Sequence, residues 1–522
     1  MRTFLSPKSV YPWTREVDFF FRGYFIAEGH CLRGSEAIAY LKTRFSNEDM
    51  AEVLRSLNGV FSMIWEREGD VFFAMDRLRG LPLFYAIVSG ELWIGDDAAA
   101  LAEQLPQRTL DEVSAEEYLS SEIFVSGSHT LLEEMQQVQA SEFCIFSFRT
   151  AAVHTSDYFR MVHEDFLPEN EPEVLCREFH NAYERTGKNL VKALRGRTAV
   201  IPLSGGADSR MIATLLKREG YSKVICYTYG RKGNAESEIS RKIAKSLGYP
   251  WYMVPYTKGM WRALRSDSEW AAYEKFAFAA VSTPHLQDYL AVKYLKEHHI
   301  LPEDSVFVPG HSGDLLAGSH ITSEFLAENL SKEAFLQTII EKFYALAPSA
   351  TLMQRIEGRF PEISPQDMEG RASQSEWFNT QERQGKYIVN SVRIYEFFGY
   401  EWLIPLWDNE QFDFWRRVPL SWRYHRKLYF YAVQDRLPST NDVTAAKSLA
   451  ARVCSIPGVR TVARRTVRFF RYWNSPLEIS HLFSAKEYFH EVFFGSSTFS
   501  SQTIASKKLL EWMRMELNSR KG

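Results

Sequence analysis

The region after residue 198 alternates short apolar strands with helical segments, and this alternation constrains the fold most strongly. Strand-like runs occupy residues 199–203, 223–229, 251–254 and 305–308, and segments with helical spacing of apolar residues lie between them. Strands joined in this way by helices form a parallel sheet with helices on both faces. Ligands of such sheets bind beyond the carboxyl ends of the strands. We therefore predict an α/β domain with its binding site at that edge.

The most specific motif follows the first of these strands directly and precedes a helix. It consists of Leu203-Ser204-Gly205-Gly206-Ala207-Asp208-Ser209-Arg210. Adjacent glycines let the backbone approach a ligand, and free N–H groups at a helix start favour an anion. The hydroxyls add donors, and Asp208 can hold Mg²⁺. Because the lysine of a GxxxxGK[ST] loop is absent, the motif suits a released pyrophosphate better than γ-phosphate transfer. A plain Gly-Gly turn with serine as the helix cap is the structural alternative.

The composition is that of a globular protein with more than one domain. The chain has 522 residues, of which 45% are hydrophobic and 24% charged, and its formal net charge is −3. This balance does not indicate a nucleic-acid partner or an anionic membrane. The five cysteines form no CxxC pair, so neither a disulfide framework nor a zinc site is expected. Without a signal-like start or an apolar run of about 18 residues, we expect a cytoplasmic protein with no membrane span.

The amino-terminal part is rich in strands. Short β-branched and aromatic runs occupy residues 19–21, 60–65, 71–75 and 142–146, with turn residues between them. They predict an antiparallel sheet with a few helices. A polar stretch then leads into the helical segment that precedes the α/β region. We place the domains at residues 1–160 and 173–440, joined by a linker at 161–172 and followed by a helical extension at 441–522.

The loop at residues 203–210 resembles the SGGxDS pyrophosphate loop of the asparagine synthetase family. Segment 308–318 resembles that family's SGEGADELFGG segment, with His311 where the family usually has glutamate. Segment 404–414 resembles its VPFLDHxLVEF run. The resemblance implies that Asp208 and Asp314 share Mg²⁺, and that residue 311 acts near the acyl acceptor. It also implies an ATP-pyrophosphatase domain with a parallel sheet.

The remaining site residues also follow from this resemblance. Segment 425–429 resembles the lysine-containing segment of the family, in which lysine stabilises charge that develops on the reacting acyl-adenylate. Lys427 is thus a catalytic candidate together with His311, and a solvated surface lysine is the alternative. Gly230 ends the strand that the family uses to contact the nucleotide. The predicted ATP- and pyrophosphate-binding residues are Leu203, Ser204, Gly205, Gly206, Asp208, Ser209, Gly230 and Gly310.

The amino-terminal part resembles the glutaminase domain of the same family. Segment 57–62 resembles LNGxFAF, and segment 76–85 resembles DRxGxKPLYY. Active domains of this type use a cysteine exposed at the processed amino terminus. Here position 2 is arginine and the nearest cysteine is Cys31, while the glutamine-binding NGEIYN segment survives only as residues 22–29. We therefore expect a degenerate Ntn-type glutaminase sandwich that does not hydrolyse glutamine.

The resemblance implies ATP-dependent formation of an amide through an acyl-adenylate. The carboxylate would belong to a small molecule, a peptide or a sugar, and the amine would be ammonia or a larger amine. Asparagine synthesis from free ammonia is one version of this chemistry. A non-catalytic nucleotide-binding scaffold, favoured by His311, is the alternative, and RNA modification is a third that the degenerate glutaminase disfavours. A homodimer is one candidate assembly.

A basic cluster lies near the carboxyl terminus. Its members are Arg460, Arg464, Arg465, Arg468 and Arg471. RNA or a membrane surface could contact such a cluster, but a solvated helix face agrees better with the balanced overall charge.

Overall fold

The computed structural model describes most of the chain. The described residues are 1–360, 367–433, 437–438, 479–484, 486–487 and 501–519. The basic cluster and most of the predicted extension at 441–522 lie outside them.

The amino-terminal part contains two sheets. One has the strand order β1-β8-β7-β9, and the other has the order β11-β10-β6-β5-β3-β2, with β4 also paired to β3. All pairs are antiparallel except β1 with β8. The strands are β1 (Arg2–Phe4), β2 (Thr14–Glu16), β3 (Phe19–Ala27), β4 (His30–Leu32), β5 (Asn58–Arg67), β6 (Asp70–Met75), β7 (Phe84–Val88), β8 (Glu91–Gly95), β9 (Gln136–Gln137), β10 (Glu142–Ser147) and β11 (Ala152–Asp157). The helices are α1 (Gly34–Asn47), α2 (Met50–Ser56), α3 (Ala98–Gln104) and α4 (Glu112–Ser121).

Burial on both faces explains the unbroken aromatic run at the start of β3. Successive side chains of a strand point to opposite faces. Phe19 and Phe21 belong to the apolar cluster that includes α1, whereas Phe20 lies in the core shared with β7 and β8. A strand covered on both sides has no polar face, so its sequence does not alternate.

The second part is built on a parallel sheet of five strands. Their order is β14-β13-β12-β15-β16, and every neighbouring pair is parallel. The chain therefore leaves the central strand β12 in one direction through β13 and β14, and later returns to its other side. The carboxyl ends of β12 and β15 form the switch point at which such sheets bind ligands. The strands are β12 (Ala199–Pro202), β13 (Val224–Gly230), β14 (Trp251–Pro255), β15 (Val306–Phe307) and β16 (Glu401–Trp402).

Helices cover this sheet and make up most of the rest of the described chain. None of the described helices is both long enough and apolar enough to cross a bilayer. The α-helices are α5 (Pro172–Leu194), α6 (Ala207–Arg218), α7 (Ala235–Leu247), α8 (Lys258–Ala263), α9 (Ser268–Phe278), α10 (Tyr289–Glu297), α11 (Gly313–Leu316), α12 (Lys332–Phe343), α13 (Ala350–Gly358), α14 (Met368–Phe378), α15 (Arg393–Phe397), α16 (Asn409–Trp415), α17 (Leu420–Arg423), α18 (Lys427–Val433) and α19 (Ser501–Ser519). A π-helix occupies Asn379–Ile388, and 3₁₀ turns occupy Leu264–Ser266, Ser323–Leu326, Val389–Val392, Pro405–Trp407, Tyr424–Arg426 and Ile479–Leu482.

The two parts share one apolar cluster that runs from β3 and β5 to the parallel sheet. A polar junction adds to it, because Asp408 accepts hydrogen bonds from Asn58 Nδ2 at 3.0 Å and from Asn189 Nδ2 at 3.1 Å. The backbone N–H of Glu410 also donates to Asp408, at 2.9 Å. Asn58, in the segment that resembles LNGxFAF, thus helps to join the parts.

The expected combination of an amino-terminal antiparallel sheet with a later parallel sheet is confirmed. Strand β16 and the π-helix were not predicted. The segment between β11 and α5 contains no helix or strand, yet His163 and Leu167 within it are buried. The narrower assignments to an Ntn-type sandwich and an ATP-pyrophosphatase fold, and the domain boundaries, stay predictions.

We predict that Asp408 makes folding stability depend on pH. Burial raises the pKa of its carboxyl to about 6, while its hydrogen bonds oppose the rise. Because the folded protein then holds this proton more tightly than the unfolded chain, the stabilisation is complete below about pH 4 and is lost as the pH rises through 6. The free energy of unfolding of the wild type, relative to Asp408→Asn, should fall by about 2–3 kcal/mol between pH 4 and pH 7. Urea titrations measure it.

Asp165→Asn is the matched control, because the Asp165 side chain is 79% exposed. If the difference in free energy of unfolding between wild type and Asp408→Asn does not change across this pH range, the prediction is wrong.

Candidate nucleotide site and active site

The predicted phosphate loop lies between β12 and α6, at the switch point of the sheet. The backbone N–H of Leu203 donates to the carbonyl of Tyr227 at 2.8 Å and so fixes the loop to β13. The hydroxyls of Ser204 and Ser209 are 3.0 Å apart, and the Ser204 N–H donates to Ser209 Oγ at 3.1 Å. Helix α6 follows Gly206, which supplies no side-chain cap. The first N–H groups of a helix that lacks such a cap are available to an anion.

A second glycine-rich loop, residues 308–313, follows β15 and packs directly on the first. A Cβ added to Gly310 would lie 2.8 Å from the backbone nitrogen of Ser209, so only glycine permits this approach. A Cβ added to Gly313 would lie 3.1 Å from Asp208 Oδ1 and 2.6 Å from Leu406 Cδ1. At Gly205, by contrast, a Cβ would meet side chains only at 3.5 Å or more.

This packing brings Asp208 and Asp314 into one electrostatic environment. Burial raises the pKa of the Asp208 carboxyl, Arg426 opposes the rise, and the neighbouring Asp314 carboxylate adds to it. Asp208 Oδ1 accepts a hydrogen bond from Arg426 Nη2 at 3.0 Å. Asp314 Oδ2 accepts one from Ser319 Oγ at 3.0 Å and lies 3.9 Å from His320 Nε2.

The two carboxylates are suitable ligands for Mg²⁺, which prefers oxygen and commonly takes one or two protein carboxylates together with phosphate oxygens. Within the described residues, no group of three or more histidine, cysteine or acidic side chains is arranged to hold a metal by itself. Two carboxylates in one neighbourhood are compatible with a metal that also takes phosphate oxygens.

A cavity of about 350 Å³ opens beside the phosphate loop, at the carboxyl ends of β12 and β13. Gly230 ends β13 with φ +129°, a conformation that favours glycine. The rings of Tyr229 and Tyr256 stack here at 4.9 Å. An aromatic pocket of this size next to an anion site can receive a planar ring joined to phosphates. The lining residues are Pro202, Leu203, Ser204, Tyr227, Thr228, Tyr229, Glu236, Tyr256, Trp261 and Gln287.

His311 lies in the second loop and is half-buried. Ser391 Oγ lies 3.2 Å from its Nδ1 and 3.3 Å from its Nε2. Burial, and secondarily the charge of His285, lowers the pKa of His311 to about 3. The imidazole is therefore neutral at physiological pH and carries no charge in the place where the related family has glutamate.

Lys427, the predicted catalytic lysine, and its neighbour Arg426 lie in different surroundings. Lys427 is exposed at the start of α18, with Nζ 4.0 Å from the centroid of the Trp422 ring. Arg426 meets the phosphate loop instead, through Asp208. His425 and Arg426 both have left-handed backbone conformations, with φ +57° and +58°. This turn was not evident in the sequence, where two adjacent cations gave no sign of which would face the loop.

Arg2 and Cys31 are the two positions on which the prediction of a degenerate glutaminase depends, and that prediction stays untested. Arg2 lies in β1 and pairs with Glu91 on the surface, at 3.0 Å. Burial raises the pKa of the half-buried Cys31 thiol although Arg33 opposes it. A thiol with a raised pKa is a poor nucleophile at neutral pH. In the segment expected to bind glutamine, Arg22 is buried and paired with Asp96 at 2.8 Å.

We predict that Gly310→Ala separates the two loops. The added methyl group would overlap the backbone at Ser209, so the free energy of unfolding should fall by about 1–3 kcal/mol. ATP affinity should fall by about tenfold or more because the loop is displaced. Urea titration and equilibrium binding of ATP measure the two effects. Gly358→Ala is the control, since nothing lies within 4 Å of a Cβ at the end of α13; equal ATP affinities for both variants would refute the prediction.

Comparisons with known proteins identify two domain families in the chain. Residues 194–453 match the family model described as asparagine synthase, and residues 40–159 match the glutamine amidotransferase domain. A short stretch of 56 residues is 43% identical to 7-cyano-7-deazaguanine synthases of Pseudomonas putida and Azotobacter vinelandii. That stretch is 10% of this chain and 24% of those proteins, so the chain spans about a quarter of their length. With both domain models matched in order, the chain belongs to the asparagine synthetase-like family.

Proposed function

We propose that the protein activates a substrate carboxylate with ATP as an acyl-adenylate and then transfers the acyl group to ammonia or another amine. The carboxylate oxygen would attack the α-phosphorus and displace pyrophosphate, and the amine would then displace AMP to give the amide. The observation that supports this most directly is the contact between the two glycine-rich loops, which joins an anion site to a pair of carboxylates at the switch point.

Each part of the site has a proposed role. The N–H groups and hydroxyls of the phosphate loop would hold the pyrophosphate portion of ATP, and Gly230 and Gly310 would let the nucleotide approach the backbone. Asp208 and Asp314 would hold Mg²⁺, which would neutralise phosphate charge when bound. Arg426, now paired with Asp208, is placed to turn toward phosphate oxygens. His311 would contact the acyl acceptor as a neutral hydrogen-bonding group.

The amino-terminal part would serve as a structural support and not as a source of ammonia. Cys31 has a raised pKa and Arg22 occupies the expected glutamine-binding segment, so neither supports hydrolysis of glutamine. The amine would therefore come from solution. Aspartate and ammonia are one substrate pair within this proposal, and larger acids and amines are others.

We predict that Asp208→Asn and Asp314→Asn each lower kcat/KM for ATP by about a hundredfold or more, because a metal ligand at the reacting phosphates is lost. The measurement is ATP-dependent release of pyrophosphate with a panel of carboxylic acids and ammonium. Asp165→Asn, which changes a side chain that is 79% exposed, should retain wild-type rates. Nucleotide binding without pyrophosphate release from any acid would favour a non-catalytic scaffold and refute this function.

Arg426→Gln and Lys427→Gln are expected to change different kinetic parameters, because these neighbouring cations make different contacts. Because Arg426 contacts Asp208 and Lys427 rests on Trp422, the Arg426 variant should raise the KM for ATP by about tenfold or more. A role for Lys427 in the adenylate step would appear as a lower kcat with KM for ATP unchanged. Steady-state kinetics of both variants measure these values. If Arg426→Gln leaves the KM for ATP unchanged, the phosphate role proposed for Arg426 is wrong.

A further inference from the structure

A second large cavity, of about 830 Å³, lies where the two parts of the chain meet. It shares no lining residue with the nucleotide cavity or with either glycine-rich loop. Its walls come from α2, from residues 157–164 after β11, and from the end of α16. Five arginines line it, and we call this cavity the arginine groove. They are Arg55, Arg77, Arg160, Arg416 and Arg417.

Three of the five arginines are balanced by carboxylates that also line the groove. These pairs are Arg55 with Glu52 at 2.5 Å, Arg160 with Asp157 at 2.8 Å, and Arg416 with Glu164 at 3.1 Å. Arg417 is exposed and forms no ion pair with any residue that the structure describes. Its Nε donates only to a backbone carbonyl, that of Asp165, at 3.3 Å. The charge of Arg417 is therefore available to a ligand.

Arg77 is the most deeply buried of the five, with an exposed fraction of 6%. Its Nη2 donates to the carbonyl of Arg55 at 2.7 Å. Its Nε and Nη1 are buried and have no hydrogen-bond partner among the described residues. Asp413 Oδ1 lies 3.6 Å from Nη1, which is too far for a hydrogen bond. Two of the three guanidinium nitrogens of Arg77 thus lack an acceptor.

Aromatic rings hold the Arg77 guanidinium in place. Its central carbon lies 3.9 Å from the centroid of the Phe159 ring and 5.9 Å from that of Phe412. Contact with aromatic faces stabilises the cation but supplies no acceptor in the plane of its N–H groups. Since water is largely excluded here, a hydrogen bond to this group would be stronger than one at the surface.

A purely structural role for Arg77, as a link between the two parts through Asp413, is the alternative. Arg22 shows the geometry of such a link in this protein, because it pairs with the buried Asp96 at 2.8 Å. Asp413, by contrast, is 59% exposed and makes no hydrogen bond to Arg77. A buried cation with missing hydrogen bonds is unfavourable unless an anion completes them. This geometry favours a ligand over a structural pair.

We propose that the arginine groove binds the phosphate group of a small molecule other than the nucleotide. At neutral pH a phosphate group carries nearly two negative charges and three strong acceptor oxygens, so one group can serve both Arg77 and Arg417. A carboxylate offers one charge and two oxygens. The groove lies within the usual range of ligand pockets, about 300–1,000 Å³, and so has room for the rest of the molecule.

This inference goes beyond the proposed function and does not depend on amide formation. It gives the amino-terminal part a ligand-binding role, because α2 and Arg77 belong to that part while Arg417 belongs to the other. A ligand held by both parts would also stabilise their association, since binding to the folded state alone favours that state.

The test titrates inorganic phosphate against the full chain by calorimetry at constant ionic strength. A saturating non-hydrolysable ATP analogue first fills the phosphate loop. The wild type should then bind phosphate saturably and bind acetate about tenfold or more weakly. Equal affinity for acetate and phosphate would overturn the assignment to phosphate. Because neither Arg77 nor Arg417 lines the phosphate loop, variants of these residues report on the groove whether or not the loop is filled.

Arg77→Gln should weaken phosphate binding about tenfold or more, because a charged donor in a buried place is lost. Arg417→Gln should weaken it about threefold or more, because this guanidinium is exposed. Arg77→Lys keeps the charge and should recover part of the affinity. Arg218→Gln, an exposed substitution at the end of α6, is the control and should behave as the wild type. Affinity for the ATP analogue should be the same in all of these variants.

Circular dichroism shows which variants fold. If Arg77→Gln does not fold, Arg417→Gln decides the test, because its side chain is exposed. Weaker phosphate binding in the groove variants, with Arg218→Gln unchanged, would support the proposal. It would be overturned by wild-type phosphate affinity in every folded groove variant, or by a wild type that binds no phosphate saturably once the loop is filled.

Discussion

The close contact of two backbones, at Gly310 against Ser209, is the constraint on which the rest of the site depends. Parallel strands β12 and β15 are neighbours, so the loops that leave their carboxyl ends meet at one edge of the sheet. A side chain at residue 310 would prevent the contact. Because the loops touch, the start of α6 packs against the second loop, and the charge of Asp314 influences Asp208 from a distant part of the chain.

This arrangement brings two negative charges near each other, and a neighbouring arginine compensates for them. Asp208 and Asp314 repel each other, and burial raises the pKa of Asp208 further. Arg426 compensates by pairing with Asp208, held there by two successive residues in the left-handed region. Such conformations are unfavourable for residues other than glycine and occur often at functional sites. An incoming cation could take over the role of Arg426 and release it toward phosphate.

The amino-terminal part supports the second part of the chain through hydrogen bonds. Its LNG segment supplies Asn58 to the junction at Asp408, and its carbonyls at residues 125 and 127 anchor the π-helix through Lys386. The π-helix in turn places Gln384 in hydrogen-bonding contact with Ser312 of the second loop, and the Tyr387 ring 5.4 Å from that of His285. The amino-terminal part thus has a structural role beside the second loop that does not depend on glutaminase chemistry.

Local patterns in the sequence predicted the parallel sheet and the two glycine-rich loops that follow β12 and β15. They did so because strand–helix alternation and adjacent glycines are short-range features that act through backbone conformation. Which charged side chains enter the site was decided only by the tertiary structure. Arg426 rather than Lys427 pairs with Asp208, where two successive residues adopt left-handed backbone conformations, and Ser312 of the second loop donates a hydrogen bond to Gln384 of the π-helix. Both depend on contacts between residues far apart in the chain, which no local pattern encodes.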